Sequence, residues 1–228
     1  SGGASLGYEA DSNVSVDEVD RASGQGDTAI TANLDLTVDQ TLGESLKGSM
    51  SYSYSRTDYS EFKNLSRDTH ILGIALDLDM GEVTGGINYF YIRALLDGDE
   101  FLTYERVSPS LSGFISKRWF LRGAFVHSEK AINNRPGRDA SSDGAELDAY
   151  FFWRGLRRYI NAGYIYKTEN SQADRFDFDS HTAKLRFLQR FGFYDELASF
   201  EIGARYEYRD YLSITPTIGT ERYDRRFR

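Results

Sequence analysis

Cysteine is absent from the 228 residues of this chain, and proline occurs only three times. The lack of cysteine excludes a disulfide scaffold and any metal site built on thiolates. No stretch approaches the ~20 consecutive apolar residues of a membrane-spanning helix. Basic residues are in the minority, with 27 Lys and Arg against 35 Asp and Glu. No basic patch with interleaved aromatic residues stands out, so a nucleic-acid partner is not expected.

Glycine and aromatic residues are plentiful, and they lie in alternating segments. The 21 Gly, 16 Tyr and 15 Phe fit poorly with disorder. In the segment "SFEIGARYEYRDY", one face is expected to carry Phe200, Ile202, Ala204, Tyr206 and Tyr208. The same period of two recurs in "TAITANLDLTVDQ" and "HILGIALDLDM". Alternation over about ten residues predicts β-strands that are long for a globular protein.

About twelve such strands are predicted along the chain. They lie near residues 4–11, 28–39, 46–58, 69–79, 83–95, 101–114, 119–129, 145–154, 158–168, 180–190, 198–211 and 220–228. Short turns are expected near 41–45, 80–82, 116–118, 155–157 and 192–196. Longer polar links are expected at 12–27, 59–68, 97–100, 129–144, 169–179 and 212–220. Long and short links take turns, as in outer-membrane β-barrels with short periplasmic turns and long outer loops.

The expected fold is all-β: a single closed, up-and-down antiparallel transmembrane β-barrel over residues 1–228. Backbone polar groups in hydrocarbon must all be paired, so a spanning sheet has to close. We expect the bacterial outer membrane as its location, with lipid and lipopolysaccharide as partners. The N-terminus and short turns are expected in the periplasm and the long loops outside the cell. Because "ERYDRRFR" does not finish on an aromatic residue, we expect truncation at the C-terminus and 14 strands in the full-length barrel.

Aromatic residues collect beside the predicted short turns. They are Trp119, Phe120, Phe152, Trp153, Tyr159, Phe191, Phe193 and Tyr194. Aromatic rings are enriched at membrane–water interfaces, so these residues are expected to form an interfacial girdle at the periplasmic end. The alternative is an aromatic cluster in the core of a soluble β protein.

Two short segments resemble a known group of barrels. "LGYEADSNVSV" at residues 6–16 and "RYDRRFR" at residues 222–228 resemble strands of the barrels that follow tetratricopeptide repeats in Gram-negative bacteria. That group includes porin-like barrels, exopolysaccharide export barrels and surface lipoprotein assembly modifiers. The resemblance covers about the first twenty and last ten residues and is otherwise architectural. It implies a conduit or secretion module that works with a periplasmic helical-repeat domain or export machinery.

Enzymatic activity is not expected. The only three histidines, His70, His127 and His181, fall on separate predicted strands. An outer-membrane lipase would need a histidine and a serine together, and the candidates are His127 with Ser128 and His181 with Ser180. Adjacent residues of a strand point to opposite faces, so neither pair forms a dyad by itself.

No cofactor or metal is expected either. Two acidic groups, Asp97 with Asp99 and Glu100, and Asp174 with Asp177 and Asp179, lie in predicted links. Carboxylates of this kind are ligands for divalent cations, but their spacing fits no calcium loop. Solvated charge on outer loops is the preferred interpretation.

The candidate functional site is the face that points away from the apolar residues. Bases in or bordering its phase are Arg93, Arg106, Arg122, Arg154, Lys184, Arg186, Arg205 and Arg209. Acids in the same phase are Asp35, Asp77, Asp148, Glu201 and Glu207. Rings of bases in a pore select for anions. The same groups could instead pair across strands and plug a narrow barrel, and the sequence leaves both arrangements open.

Three functions are compatible with these patterns. The first is a conduit for export or passage of polar solutes or polymers. The second is a module for secretion or assembly of proteins or lipoproteins in the outer membrane. The third is a soluble binding protein, lipocalin-like or a sandwich. Dependence on detergent separates the third function from the others, and conductance in planar bilayers separates the first from the second.

Overall fold

The computed structural model describes residues 1–16, 21–193, 196–215 and 219–227. This part of the chain is all-β, with twelve antiparallel strands in one sheet and a separate two-stranded pair. The strands are β1 (Gly2–Asp11), β2 (Ser15–Val16), β3 (Arg21–Ala22), β4 (Asp27–Leu42), β5 (Leu46–Tyr59), β6 (Arg67–Asp79), β7 (Val83–Leu96), β8 (Asp99–Phe114), β9 (Trp119–Ile132), β10 (Ala140–Phe152), β11 (Arg158–Ser171), β12 (Phe178–Phe193), β13 (Glu196–Thr215) and β14 (Thr220–Phe227). The predicted up-and-down order of twelve strands is confirmed, because each long strand pairs with its neighbour in the chain.

The register of the strands keeps like residues together. Leu36 of β4 lies opposite Tyr52 of β5, and Val38 lies opposite Met50. One residue along, Asp35 lies opposite Ser53. Because side chains alternate between faces, one face of this hairpin is apolar over most of its length and the other is polar.

One predicted link is wrong. Residues 97–100 were expected to form a long polar link, but only Asp97 and Gly98 separate β7 from β8. Both residues have positive φ, 54° for Asp97 and 84° for Gly98. Positive φ at both central residues is typical of the two-residue type I′ turn, for which Asp-Gly is a preferred sequence. The strict alternation of long and short links is therefore broken at this hairpin.

Three of the long links share a structural feature that was not predicted from the sequence. Each contains a single 3-10 turn, at Lys63–Leu65, Pro136–Arg138 and Asp174–Phe176. The residue after each turn accepts a backbone N–H from the end of the preceding strand. These bonds run from Tyr59 to the hydroxyl of Ser66, from Ile132 to the carboxylate of Asp139, and from Ser171 to the carboxylate of Asp177, at 3.0, 2.7 and 2.5 Å. The side-chain oxygen thus replaces a strand partner where the ladder ends.

The chain divides into two compact units. Unit 1 comprises Ser1–Asp77, Asn88–Val107 and Ser128–Ala140, and unit 2 comprises Leu78–Ile87, Ser108–His127 and Ser141–Arg228. The small β2–β3 pair, which was not predicted, lies in the first long link of unit 1. The buried apolar cluster of unit 1 contains Val14, Ala29, Tyr59, Leu65, Ala94, Leu96, Phe101 and Ile132.

In the described residues, no helix has the length and apolar character needed to cross a membrane.

Candidate functional site: the charged face of unit 2

The two faces of the sheet differ sharply in unit 2. Between β12 and β13, Leu185 lies opposite Ala204 and Phe187 opposite Ile202. This apolar face is the exposed one, with Ile202 60% and Leu185 55% accessible. On the other face, polar side chains such as Thr182 are buried. That second face, which also carries Lys184 and Arg186 by alternation, is called the charged face here.

The charged face begins with a cluster that joins three strands. Arg122 of β9 contacts Glu146 and Asp148 of β10, at 3.4 and 3.8 Å. Lys184 of β12 contacts the same Asp148 at 3.5 Å. Gly163 of the intervening strand β11 makes this contact possible, because an added Cβ would lie 2.6 Å from the Asp148 carboxylate and 2.8 Å from the Lys184 chain. The glycine therefore lets β10 and β12 interact across β11.

The cluster continues onto β13. Arg186 of β12 contacts Glu201 at 2.6 Å. Within β13, the Glu207 carboxylate contacts the guanidinium groups of Arg209 at 2.9 Å and Arg205 at 3.5 Å. Several of these side chains are nearly half-exposed, so each ion pair contributes no more than about 1 kcal/mol. Each predicted base of this face therefore contacts at least one carboxylate.

Seven of the ten predicted site residues come together on this face. They are Arg122, Lys184, Arg186, Glu201, Arg205, Glu207 and Arg209. The other three lie elsewhere. Arg93 pairs with Glu100 at 2.5 Å beside the β7–β8 turn, and Arg106 is half-buried on β8 in unit 1. Arg154 is exposed in the turn between β10 and β11, outside both strands.

The predicted aromatic girdle is corrected by the structure. Trp119 contacts Phe151, which contacts Trp153, with ring centroids 4.9 and 5.0 Å apart. By alternation along β10, this group shares the apolar face with Leu147. A second group shares the charged face with Asp148: Phe114, Phe120, Tyr150, Phe152 and Tyr159, in mutual contact at 5.2 to 6.2 Å. Phe120, Phe152 and Tyr159 are therefore not part of an apolar-face girdle.

The aromatic patch of the charged face is a feature that the sequence reading missed. The alternation in "ELDAYFFW" contains the signal, because Tyr150 and Phe152 are in phase with Asp148. Of the remaining predicted girdle residues, Phe191 is exposed at the end of β12, whereas Tyr194 and the side chain of Phe193 lie outside the described residues.

Each histidine is hydrogen-bonded through Nδ1 to a side chain of the neighbouring strand. The partners are the Tyr52 hydroxyl for His70, the Asp143 carboxylate for His127 and the Tyr164 hydroxyl for His181, at 2.8, 2.9 and 2.6 Å. The two serines considered with them, Ser128 and Ser180, are buried. In the part of the chain described, no group of three His, Asp or Glu side chains is arranged to hold a metal ion.

No protein-family model matches the chain, and none of the curated proteins matches it. The functional conclusion therefore rests on the chemistry of the two faces of the sheet.

Proposed function

We propose that the sheet closes into a barrel in the bacterial outer membrane and serves as a conduit for polar solutes or polymers. The observation that carries this proposal is the exposure of the apolar face. Leu6 is 83%, Val38 66% and Ile202 60% accessible, on strands from both units. A lipocalin-like soluble barrel has the opposite arrangement, with apolar residues inside.

The exposed apolar side chains are unfavourable in water. Burying one Leu, Ile or Val side chain stabilises a protein by about 1.5–3 kcal/mol relative to leaving it in water. Leu185, Phe200 and Ile202 all stand on one face of β12 and β13 and are more than half exposed. Lipid acyl chains would cover all of them together. The strands are also long enough, since about 9–11 tilted residues cross a bilayer and β4 has 16.

Closure of the sheet is proposed for a related reason. Among the described residues, β1 and β14 each have one hydrogen-bonded neighbour in the sheet. An unpaired backbone group in hydrocarbon costs several kcal/mol, so an open edge is not tolerated there. Pairing of these edges, directly or through further strands, satisfies the backbone and turns the charged face inward.

The conduit role follows from an inward charged face. A lumen with Arg122, Lys184 and Arg186 beside Glu146 and Asp148 holds water and polar groups, and it excludes apolar ones. The resemblance of residues 6–16 and 222–228 to repeat-associated barrels supports the same role, with periplasmic helical repeats or export machinery as partners.

The test is reconstitution of the purified chain into lipid vesicles and planar bilayers. We expect folding that depends on lipid or detergent, followed by discrete conductance steps. A chain that stays folded and monomeric in plain buffer would contradict the membrane assignment. Stable insertion without conductance in any variant would favour the secretion or assembly module over the conduit.

A further inference from the structure

An apolar cluster lies on a face of unit 1 that is otherwise polar. Ala29 of β4 is in phase with Thr31, Asn33 and Asp35, so it stands on the polar face of that strand. Yet Ala29 is completely buried. The strands alone do not cover it, because residues of two links take part in the same cluster.

The covering residues come from the first and second long links. Val14 of the first link is 0% exposed, and Leu65 of the second is 4% exposed. Phe62, also of the second link, packs against the same cluster. The same cluster contains Ala94 of β7 and further residues of β7, β8 and β9: Leu96, Phe101 and Ile132. Residues 60–66 are called the lid here.

The lid is hydrogen-bonded to the sheet at both of its ends, and one carboxylate holds the residues between them. At the ends, the Ser60 N–H donates to the Thr28 carbonyl and the Ser66 carbonyl accepts the Asp97 N–H, each at 2.9 Å. Asp27, the first residue of β4, accepts the backbone N–H groups of Glu61 at 2.8 Å and Phe62 at 3.0 Å. Asp11 lies opposite Asp27 across β1 and β4, and it accepts the Tyr59 hydroxyl at 2.5 Å. Two like charges facing each other across strands are unfavourable unless each is compensated. The lid in its closed position supplies the compensation for Asp27.

We propose that the lid closes the conduit at the end where the long links lie. It opens when Asp27 releases the backbone amides of Glu61 and Phe62. This inference rests on the proposed function, since the lid gates permeation only if the polar face lines a lumen. Opening removes Phe62 and Leu65 from the cluster and leaves the rest of the β4–β5 ladder intact. Asp27 is called the latch, because its hydrogen bonds hold the lid closed. The apolar contacts of Leu65 exclude water from the cluster while the lid is closed.

The absence of native cysteine allows a direct test by single-cysteine labelling. Ala94, 3% exposed and in the same buried cluster as Leu65 of the lid, is changed to cysteine, which adds only one sulfur atom. Lys63→Cys, at an exposed position of the lid, serves as the reference for reagent access. The probe is a membrane-impermeant maleimide, applied to protein in phospholipid vesicles. We expect Ala94→Cys to react at least ~10-fold more slowly than Lys63→Cys, since its thiol reacts only when the lid opens.

The latch is tested by adding Asp27→Asn to the Ala94→Cys protein. Asparagine keeps the shape but loses the charge, and hydrogen bonds to charged groups are about twice as strong as neutral ones. We expect labelling to accelerate about tenfold. The matched control is Asp177→Asn, which removes the same kind of amide–carboxylate bond from a link of unit 2. It should leave the labelling rate of Ala94→Cys unchanged.

Conductance of the same variants separates the lid from the conduit. Asp27→Asn should raise the open fraction in planar bilayers, and Asp177→Asn should not. If Ala94→Cys reacts as fast as Lys63→Cys without any second change, the proposed lid is overturned. The proposed conduit is then judged separately, by whether the protein conducts. If Asp27→Asn accelerates labelling but no variant conducts, the latch is upheld and the proposed conduit is overturned.

Discussion

Lys184 and Arg205 lie directly opposite one another in the register of β12 and β13. Like charges at opposed positions of antiparallel strands destabilise the pairing. Each base therefore reaches a different carboxylate, Lys184 the Asp148 of β10 and Arg205 the Glu207 of its own strand. The density of bases on the charged face is tolerable only because these acids are interleaved with it.

Replacing Asp148 by Asn should make the conduit more selective for anions. The change leaves Arg122 and Lys184 without the carboxylate that they share, so their positive field acts on permeant ions. Reversal potentials in a KCl gradient measure the effect. It should shrink at ~1 M salt, where the screening length falls to about 3 Å.

Asp143→Asn is the matched control for that variant. Asp143 lies on the same strand but on the opposite face by alternation, and it pairs with His127 at 2.9 Å. The control should leave ion selectivity unchanged. Equal shifts from the two substitutions would show that Asp148 does not face a lumen.

A second prediction concerns lipid contact on β13. Arg in place of Ile202 should cost about 2–4 kcal/mol if this position lies near the bilayer midplane. Arg in place of the adjacent Gly203 should cost less, because it would stand on the charged face, where an added Cβ meets only an ordinary contact, at 3.5 Å from the Leu185 carbonyl. Urea unfolding in lipid vesicles measures both. Similar penalties at the two positions would indicate a sheet that is buried on both sides.

A third prediction concerns the orientation in the membrane. Cysteine at Gln172, exposed in the link between β11 and β12, should react with an impermeant reagent added to intact cells. Cysteine at Leu156, 69% exposed in the turn between β10 and β11, should react only after the outer membrane is opened. Leu156 is preferable to Gly155, whose φ of 56° disfavours a side chain. Labelling of Leu156→Cys from outside would reverse the assigned orientation.

A fourth prediction is a pH dependence of lid opening. Asp27 lies before the apolar run of β4, which begins at Ile30. Burial opposes ionisation of Asp27, but hydrogen bonds from the backbone of Phe62, Glu61 and Thr28 outweigh it and lower the pKa of this carboxyl. Because the pKa of Asp27 is lowered in the folded state, its ionised form stabilises the closed lid. This stabilisation is fully present at pH values above the unfolded pKa of about 3.9. That stabilisation is lost as the pH falls further, through the folded pKa.

The open fraction in planar bilayers should therefore rise below about pH 4. The groups around Asp27 also titrate or carry charge: Asp11, which lies opposite it on β1, Glu9 and Tyr59, which both lie opposite Ala29, and Glu61 of the lid. Asp27→Asn isolates the contribution of Asp27, since that variant keeps all the others. Its open fraction should be high and nearly independent of pH. An equally steep pH response in Asp27→Asn would assign the effect to Asp11 or Glu61 instead.

The strands and their two faces could be predicted from the sequence because side-chain alternation is a local property. Ile202 and Arg205 must stand on opposite faces of any strand that contains both, whatever surrounds it. Two errors were also local in origin. Asp97-Gly98 is a strong signal for a two-residue turn, and it was overlooked within a polar run. Phe152 was predicted to lie in the interfacial girdle because of its ring, although its phase matches that of Asp148.

The pairing of charges and the lid were decided only by the tertiary structure. Lys184 and Asp148 are 36 residues apart in the numbering, on strands separated by β11, and their contact depends on the missing side chain of Gly163. Leu65 and Val14 are 51 residues apart in links of the chain, and only the fold brings them into one buried cluster with Ala29. Alternation assigns a residue to a face, but the register of distant strands and the path of the links determine which residues of that face meet. Those depend on the packing of the whole sheet rather than on any one segment.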